Sequence, residues 1–490
     1  MARLAWLVLW AFLLSAQTGT EVRIVSGRIT GVESNGVRSW LGIPYAAPPV
    51  GEWRWKPPRS APSWGGTRAM EKHGPPCMQG VRKGAPEPSE DCLTLNVWSP
   101  QSASRLPVMV WIHGGAFRQG SGSLPIYDGT TLARKGVVAV TINYRLGDFG
   151  FFAHPELTKE APGGPTANFG LMDQVAALEW VRDNIAAFGG DPKNVTIFGE
   201  SAGGASVQAL MASPKARGLF HRAISQSGGG RQSMRSLADL EKLGEKLAAD
   251  WGATDLKSLR ALPAEKLLAR TRPVELGAYG PVVDGIYMTA APWQAFAEGK
   301  QAPVPFLVGA NSFEASLMAT FNVNAERIRS FIGAGGALLK KLYGEDEEQA
   351  ARELFGDALF VGPARYLAAR ASEARQPAYL YHFSYVLEGR RGQVPGAAHG
   401  SEIPFVFDTL DGSPVAKLVT AQDRKMADVM SSYWTQFAKT GDPNRSGLPQ
   451  WPAYSASGDK LLEFGADIAV RERFRAGKLD ALDSILSVRR

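Results

Sequence analysis

The sequence predicts an α/β protein: a mainly parallel central sheet with helices on both faces and helical insertions above it. Three observations carry that expectation. Pro107–Ile112 and Val137–Ile142 are continuous apolar runs bounded by turn residues, the pattern of strands buried on both faces. Between Asn168 and Phe188, residues Leu171, Val175, Leu178, Val181 and Ile185 recur at helical spacing until Gly189-Gly190-Asp191-Pro192 ends the pattern. Asn194–Phe198 then reads as another buried strand, and strands that alternate with helices make a parallel sheet.

The elements follow in order. Arg3 and the apolar run Leu4–Leu14, with small residues at Ser15-Ala16-Gln17, read as a signal peptide over residues 1–17. The run is too short to span a bilayer, and no later stretch is long and apolar enough to do so. A secreted or periplasmic protein is expected, without stable membrane insertion once the signal is cleaved. From Val22 to about Trp64, short β-rich pieces alternate with turns and predict a small antiparallel ribbon. Cys77 and Cys92 are the two cysteines, close together in a Pro/Gly-rich segment. In an exported protein they read as one disulfide, worth about 3 kcal/mol in the chain-entropy model and expected to spare the chemistry. No histidine pair stands near them to complete a zinc site.

Further strands are expected at Ala223–Gln226, Pro305–Val308 and Ala378–Phe383. Leu237–Arg272 and Asn324–Arg375 are charged and helix-prone, as insertions forming a lid or pocket wall would be. Repeats, low-complexity tracts and flexible linkers are absent from the sequence, so residues 22–490 read as one domain. At 44% hydrophobic and 21% charged residues the composition is that of a globular chain. The net charge of +7 comes from scattered Lys and Arg, which excludes a nucleic-acid-binding role. Oligomeric state is not legible.

Val195-Thr-Ile-Phe-Gly-Glu-Ser-Ala-Gly-Gly204 carries the chemistry. A strand ends in Gly199-Glu200-Ser201-Ala202-Gly203, and small residues able to start a helix follow, the context of a nucleophile elbow. The glycines relieve crowding at the turn, and the helix end aims N–H groups at the place where an oxyanion would form. A serine at its ordinary pKa needs a base, and the base needs an orienting acid. Of the six histidines, His399 stands in a flexible loop, Pro395-Gly-Ala-Ala-His-Gly-Ser-Glu402, far downstream of the serine. His154 and His221 read as packed core residues, and His382 lies inside a strand. Glu314, just past a buried strand, fits best as the acid; Asp284, in an Asp-Gly pair, is its rival. His113-Gly-Gly-Ala-Phe117 follows a strand and could supply backbone donors beside the N–H of Ala202.

Together these residues resemble the type-B carboxylesterase/lipase family, the cholinesterase-like branch of the α/β-hydrolases. Gly42-Ile-Pro-Tyr-Ala-Ala-Pro-Pro-Val-Gly51, Glu90-Asp-Cys-Leu-Thr-Leu-Asn-Val97, Gly189–Gly204, Phe437–Asn444 and Leu448–Pro452 look like its signatures, over nearly the whole mature chain. The resemblance implies an α/β-hydrolase fold and a serine carboxylester hydrolase. It implies a triad of Ser201, Glu314 and His399, and oxyanion donors at Gly115, Ala116 and Ala202. Ser227 becomes a partner of the acid, and Glu200 a supporting residue beside the serine. Small esters are the implied substrates, with no metal or organic cofactor. A non-catalytic binding protein, or a lipase or amidase on the same fold, is the alternative. Two departures matter. Phe313-Glu314-Ala315 stands where the family usually has Asp-Glu-Gly. The Cys77–Cys92 segment has no aromatic residue where cholinesterases carry a choline-binding tryptophan, which points away from choline esters and toward bacterial p-nitrobenzyl-esterase-like carboxylesterases.

Overall fold

The computed structural model describes residues 19–81, 84–231, 234–269, 277–332 and 336–488. The expected signal peptide, residues 1–17, lies outside them. In chain order the first strands are β1 (Val22–Ile24), β2 (Gly27–Thr30), β3 (Val32–Ser34), β4 (Val37–Pro44), β5 (Thr67–Ala69) and β6 (Thr94–Pro100). The next are β7 (Leu106–Ile112), β8 (Val138–Ile142), β9 (Gly190–Glu200), β10 (Arg222–Gln226) and β11 (Phe306–Asn311). β12 (Ala378–Phe383), β13 (Lys460–Phe464) and β14 (Ile468–Glu472) complete the set among the described residues.

Eleven of these form one sheet in the order β14-β13-β12-β11-β10-β9-β7-β8-β6-β4-β3. From β8 to β13 every pairing is parallel; both margins are antiparallel. The expected N-terminal ribbon is divided instead. β3 and β4 extend the main sheet, while β1 pairs antiparallel and β5 parallel with β2 in a separate sheet. Short pieces with mixed burial do not reveal from sequence which partner each will take.

The central strands are buried on both faces, as their mainly apolar runs require. Val108, Val110 and Ile112 share a core with Leu171, Val175 and Leu178 of the helix Phe169–Asn184. Met109 and Trp111, facing the other way, pack with Met430, Trp434 and Phe437 of the helix Ala421–Thr440. Each such buried side chain contributes roughly 1.5–3 kcal/mol relative to exposure. The two insertions are helical as expected. Leu237–Asp250, Leu256–Arg260 and Ala264–Leu268 form the first. The second runs through Ala325–Ile332, Gly336–Tyr343 and Glu347–Gly356, then a π-helical turn, Asp357–Val361, into Gly362–Glu373. Cys77 and Cys92 are joined in a disulfide. No helix among the described residues is long and apolar enough to cross a membrane.

Parallel pairing has one consequence for function. The carboxyl ends of β7, β9, β10, β11 and β12 all open on the same edge of the sheet, where α/β folds bind ligands. His113, Ser201 and Ser227 follow those ends directly, Glu314 stands just past β11 after Ser312 and Phe313, and His399 lies in the loop after β12.

Candidate active site

β9 runs into Ser201 and the helix Ala202–Ala212 begins at the next residue. Ser201 has φ 57° and ψ −122°, a conformation costly for a residue with a side chain. Its N–H donates to the Gln226 carbonyl at 2.9 Å and its carbonyl accepts from Ala205 N–H at 2.8 Å, which holds the turn. The motif's glycines are required by contact. A Cβ on Gly203 would fall 2.0 Å from the Ile112 carbonyl oxygen, and one on Gly199 would fall 2.6 Å from it. The helix therefore starts hard against the end of β7.

Glu314 opens a 3₁₀ turn after β11 and is 1% exposed. Its Oε1 accepts from Ser227 Oγ at 2.6 Å and from Asn311 N–H at 2.7 Å. Its Oε2 lies 2.5 Å from His399 Nδ1. The His399 loop is pinned to the same turn. Phe313 N–H donates to the Ala397 carbonyl, Ala397 N–H to Ser312 Oγ, and His399 N–H to Ser316 Oγ. Phe360, on the π-helical turn, packs its ring 5.3 Å from the imidazole. Sequence distance hides this convergence; four segments meet within one shell.

The second imidazole nitrogen faces a carboxylate. His399 Nε2 lies 3.0 Å from Glu200 Oε1, off the line of a hydrogen bond, and Ser201 Oγ has no hydrogen bond to it among the described residues. Catalytic contacts of this kind commonly tighten only when substrate is bound. Burial alone would lower the pKa of His399, but the carboxylates of Glu200 and Glu314 more than offset it and raise it well above the ordinary value.

A third carboxylate completes the cluster. Glu402 is fully buried, with Oε1 accepting from Gln226 Nε2 at 3.1 Å and Oε2 from Asn311 Nδ2 at 2.5 Å. Trp434 Nε1 in turn donates to Gln226 Oε1 at 3.0 Å. Burial first, then the neighbouring Glu200 charge, pushes Glu402 up to about 8. Glu402, Asn311, Gln226, Ser316 and Phe360 escaped the sequence reading. The one available signal was an acid at Glu402 running straight into the apolar Ile403–Phe407.

The loop that begins at His113 leaves β7 and crosses Ser201. A Cβ on Gly114 would sit 3.1 Å from Ser201 Cβ. Gly115, Ala116 and Phe117 have φ of 109°, 57° and 56°. Among the described residues no protein group accepts from the N–H of Gly115, Ala116 or Ala202.

The remaining candidates have other places. Asp284 Oδ1 accepts from Ile286, Tyr287 and Met288 N–H groups and Oδ2 from Asn168 Nδ2, so this rival acid builds a turn. His113 is buried, stacks on Tyr144, and burial holds its pKa near about 4. His154 and His221, expected in the core, are half-buried. His154 accepts from Glu156 N–H at the start of its helix, and His221 from Val195 N–H. Their flanking apolar residues are buried while the rings serve backbone donors.

The sequence profile described as the carboxylesterase family matches residues 18–333 and 337–482. The chain belongs to this family. It is 38% identical to para-nitrobenzyl esterase of Bacillus subtilis over 471 residues, 91% of this chain and 94% of that one. It is 36% identical to fumonisin B1 esterase of Sphingopyxis macrogoltabida, covering 96% of this chain and 93% of the other. A solved p-nitrobenzyl esterase superposes with TM-score 0.85 at 35% identity, over 95% of this chain and all of that structure. A carboxylesterase of Geobacillus stearothermophilus superposes with TM-score 0.84 at 38% identity, over 94% and 99% of the two chains. This carboxylesterase thus has the α/β-hydrolase fold and is a serine carboxylester hydrolase.

Proposed function

We propose that Ser201, Glu314 and His399 perform the hydrolysis through an acyl-enzyme. Ser201 Oγ bonds to the ester carbonyl carbon while its proton passes to His399 Nε2. Glu314, bound at Nδ1, keeps the tautomer that leaves Nε2 free to accept and stabilises the imidazolium that forms. The N–H groups of Gly115, Ala116 and Ala202 receive the oxyanion, each worth roughly 3 kcal/mol of transition-state stabilisation. The carbon–oxygen bond to the alcohol then breaks and Nε2 returns the proton to it. Water, deprotonated by the same nitrogen, attacks the acyl carbon, and Ser201 leaves with the proton restored.

The observation that carries this reading is the 2.5 Å contact of Glu314 Oε2 with His399 Nδ1, while Nε2 lies 3.0 Å from Glu200 Oε1, in the residue preceding a serine held on a strained turn. Ser227 and Asn311 saturate the other oxygen, so Glu314 has one orientation. The substrates are small carboxylic esters, and residues 22–490 act as one domain, exported behind a signal peptide at 1–17. The disulfide supports an oxidising compartment. A fluorophosphonate tests the assignment. Mass mapping should find the label on Ser201, and Ser201→Ala should abolish both label and turnover while the fold persists. Labelling of another serine would overturn it.

A further inference from the structure

Gln79, two residues beyond Cys77, grips the oxyanion loop. Its Nε2 donates to the Gly120 carbonyl at 2.8 Å, and its Oε1 accepts from Gly120 N–H at 2.9 Å. The same Nε2 also donates to the Cys77 carbonyl at 2.9 Å, so the amide is itself tethered to the disulfide. One side chain thus satisfies both backbone groups of a single residue in another loop.

Gly120 closes the segment that begins at His113. Its φ is 121°, and a Cβ there would fall 2.4 Å from His113 Nδ1 and 2.6 Å from the Gly114 carbonyl oxygen. The loop therefore folds back onto its own start, and gripping Gly120 limits movement of Gly114 and the residues after it. Those residues need restraint. Gly115, Ala116 and Phe117 all have positive φ, and two of them carry side chains. Such backbone persists only where its surroundings over-determine it.

The far end of the disulfide loop is tied to the same segment. Asn143 Oδ1 accepts from Gly122 N–H at 2.9 Å and from Ser121 Oγ at 3.1 Å. Asn143 Nδ2 donates to the Cys92 carbonyl at 3.2 Å and to the Pro75 carbonyl at 3.0 Å. Both half-cystines are nearly inaccessible, at 2% and 0% exposure, so the bond is built into this junction and is no surface staple.

We propose that Gln79 is a positioning residue for the oxyanion loop, and that the Cys77–Cys92 disulfide sets turnover by holding Gln79 against Gly120. This departs from the expectation that the disulfide adds stability and spares the chemistry. The proposal rests on reading Gly115 and Ala116 as oxyanion donors. It adds that their alignment is supplied from outside their own loop.

The test compares wild type, Gln79→Ala, Gln79→Glu and the double variant Cys77→Ala/Cys92→Ala on an uncharged butyrate ester. An alkyl trifluoromethyl ketone serves as the transition-state probe. Misaligned donors should lower kcat by about tenfold to a hundredfold in Gln79→Ala with KM nearly unchanged, and weaken the ketone by a similar factor. Gln79→Glu keeps the acceptor for Gly120 N–H and loses the donor, so it should fall between wild type and Gln79→Ala. Cys77→Ala/Cys92→Ala should resemble Gln79→Ala, and adding Gln79→Ala to it should cost little more, because both changes cut one link.

Unchanged kcat and ketone affinity in folded Gln79→Ala would overturn the proposal, as would a loss confined to KM, or losses that multiply in the triple variant. If Gln79→Ala fails to fold, Gln79→Glu and the cysteine variant carry the same comparison. Wild type separates the two levels of the argument. Should the ketone bind wild type and Ser201→Ala equally, the reading of the site itself has failed; should it bind wild type tightly while the Gln79 variants are silent, only the role of Gln79 has.

Discussion

Glu200 Oε1 stands 3.0 Å from Nε2 of His399, the nitrogen that Glu314 does not hold. His399, the proposed base, thus lies between two buried carboxylates, which favour its protonated form. In the proposed attack on an ester that arrangement would stabilise the developing imidazolium. Its cost is that the neutral imidazole, the form that accepts a proton, is populated only at higher pH.

A pH profile follows from that sign. Because the His399 pKa is raised well above the ordinary 6.5, kcat/KM should climb with pH and level off only above neutrality. Glu200→Gln removes one of the two charges, so the acid limb should move to lower pH while the plateau drops, since the imidazolium loses support. Measured profiles of the two proteins check this. An acid limb that stays in place would mean that Glu200 does not act on His399.

Substitution of the two candidate acids separates chemistry from architecture. Glu314→Gln should lower kcat by several orders of magnitude, less than Ser201→Ala, because the tautomer is no longer held while the oxyanion donors remain. Asp284→Asn should leave kcat largely intact. It should instead lower the melting temperature, because Asp284 accepts from three backbone N–H groups and from Asn168. Kinetics and thermal melts of each variant decide the matter, and a folded Asp284→Asn that is the more damaged in kcat would reverse the assignment.

What could be read from the sequence, and what could not, has a physical explanation in these residues. The strand-to-helix turn at Ser201 was legible because Gly199 and Gly203 must clear the Ile112 carbonyl, a local demand that leaves a local motif. The central strands were legible because burial on both faces favours mainly apolar runs, broken here only by buried residues such as Thr141 and Thr196. β13 and β14 carry half-exposed residues and no continuous apolar run, so the C-terminal hairpin went unseen. Glu402, Gln226, Asn311 and Trp434 meet from four separate segments, and no spacing rule connects them. Gln79 and Gly120 are hidden in the same way, 41 positions apart on two loops.

Glu402 makes stability depend on pH. With the folded value pushed up to about 8 against an ordinary 4.5, the native state holds a proton that the unfolded chain has released. Unfolding free energy therefore falls as pH rises between those two values. His399 slopes the same way, so the two must be separated by substitution. Glu402→Gln should remove part of the slope and gain on wild type by on the order of a few kcal/mol between about pH 5 and about pH 9. Urea midpoints across that range provide the test. A constant difference between the proteins would show that Glu402 stays ionised throughout.

Substrate charge is the last prediction. The segment Met78–Asp91 between the disulfide cysteines has no aromatic residue, which removes the cation–π face that would hold a quaternary ammonium there. Such a contact is worth up to about 2 kcal/mol when desolvated, enough for more than tenfold in affinity. In its place Gln79 turns toward Gly120, the contact proposed to position the oxyanion donors, which are indifferent to the alcohol's charge. An uncharged butyrate ester should therefore react at least as well as butyrylcholine when leaving-group pKa and size are matched. The carboxylates of Glu200 and Glu314 could attract a cation over longer range, but both face His399, and Glu402, pushed up to about 8, holds its proton near neutrality. Comparison of kcat/KM for the two esters at low and high salt checks both parts. A preference of about tenfold for the choline ester that survives high salt would require a short-range cation site elsewhere around Ser201, because screening removes only the longer-range attraction.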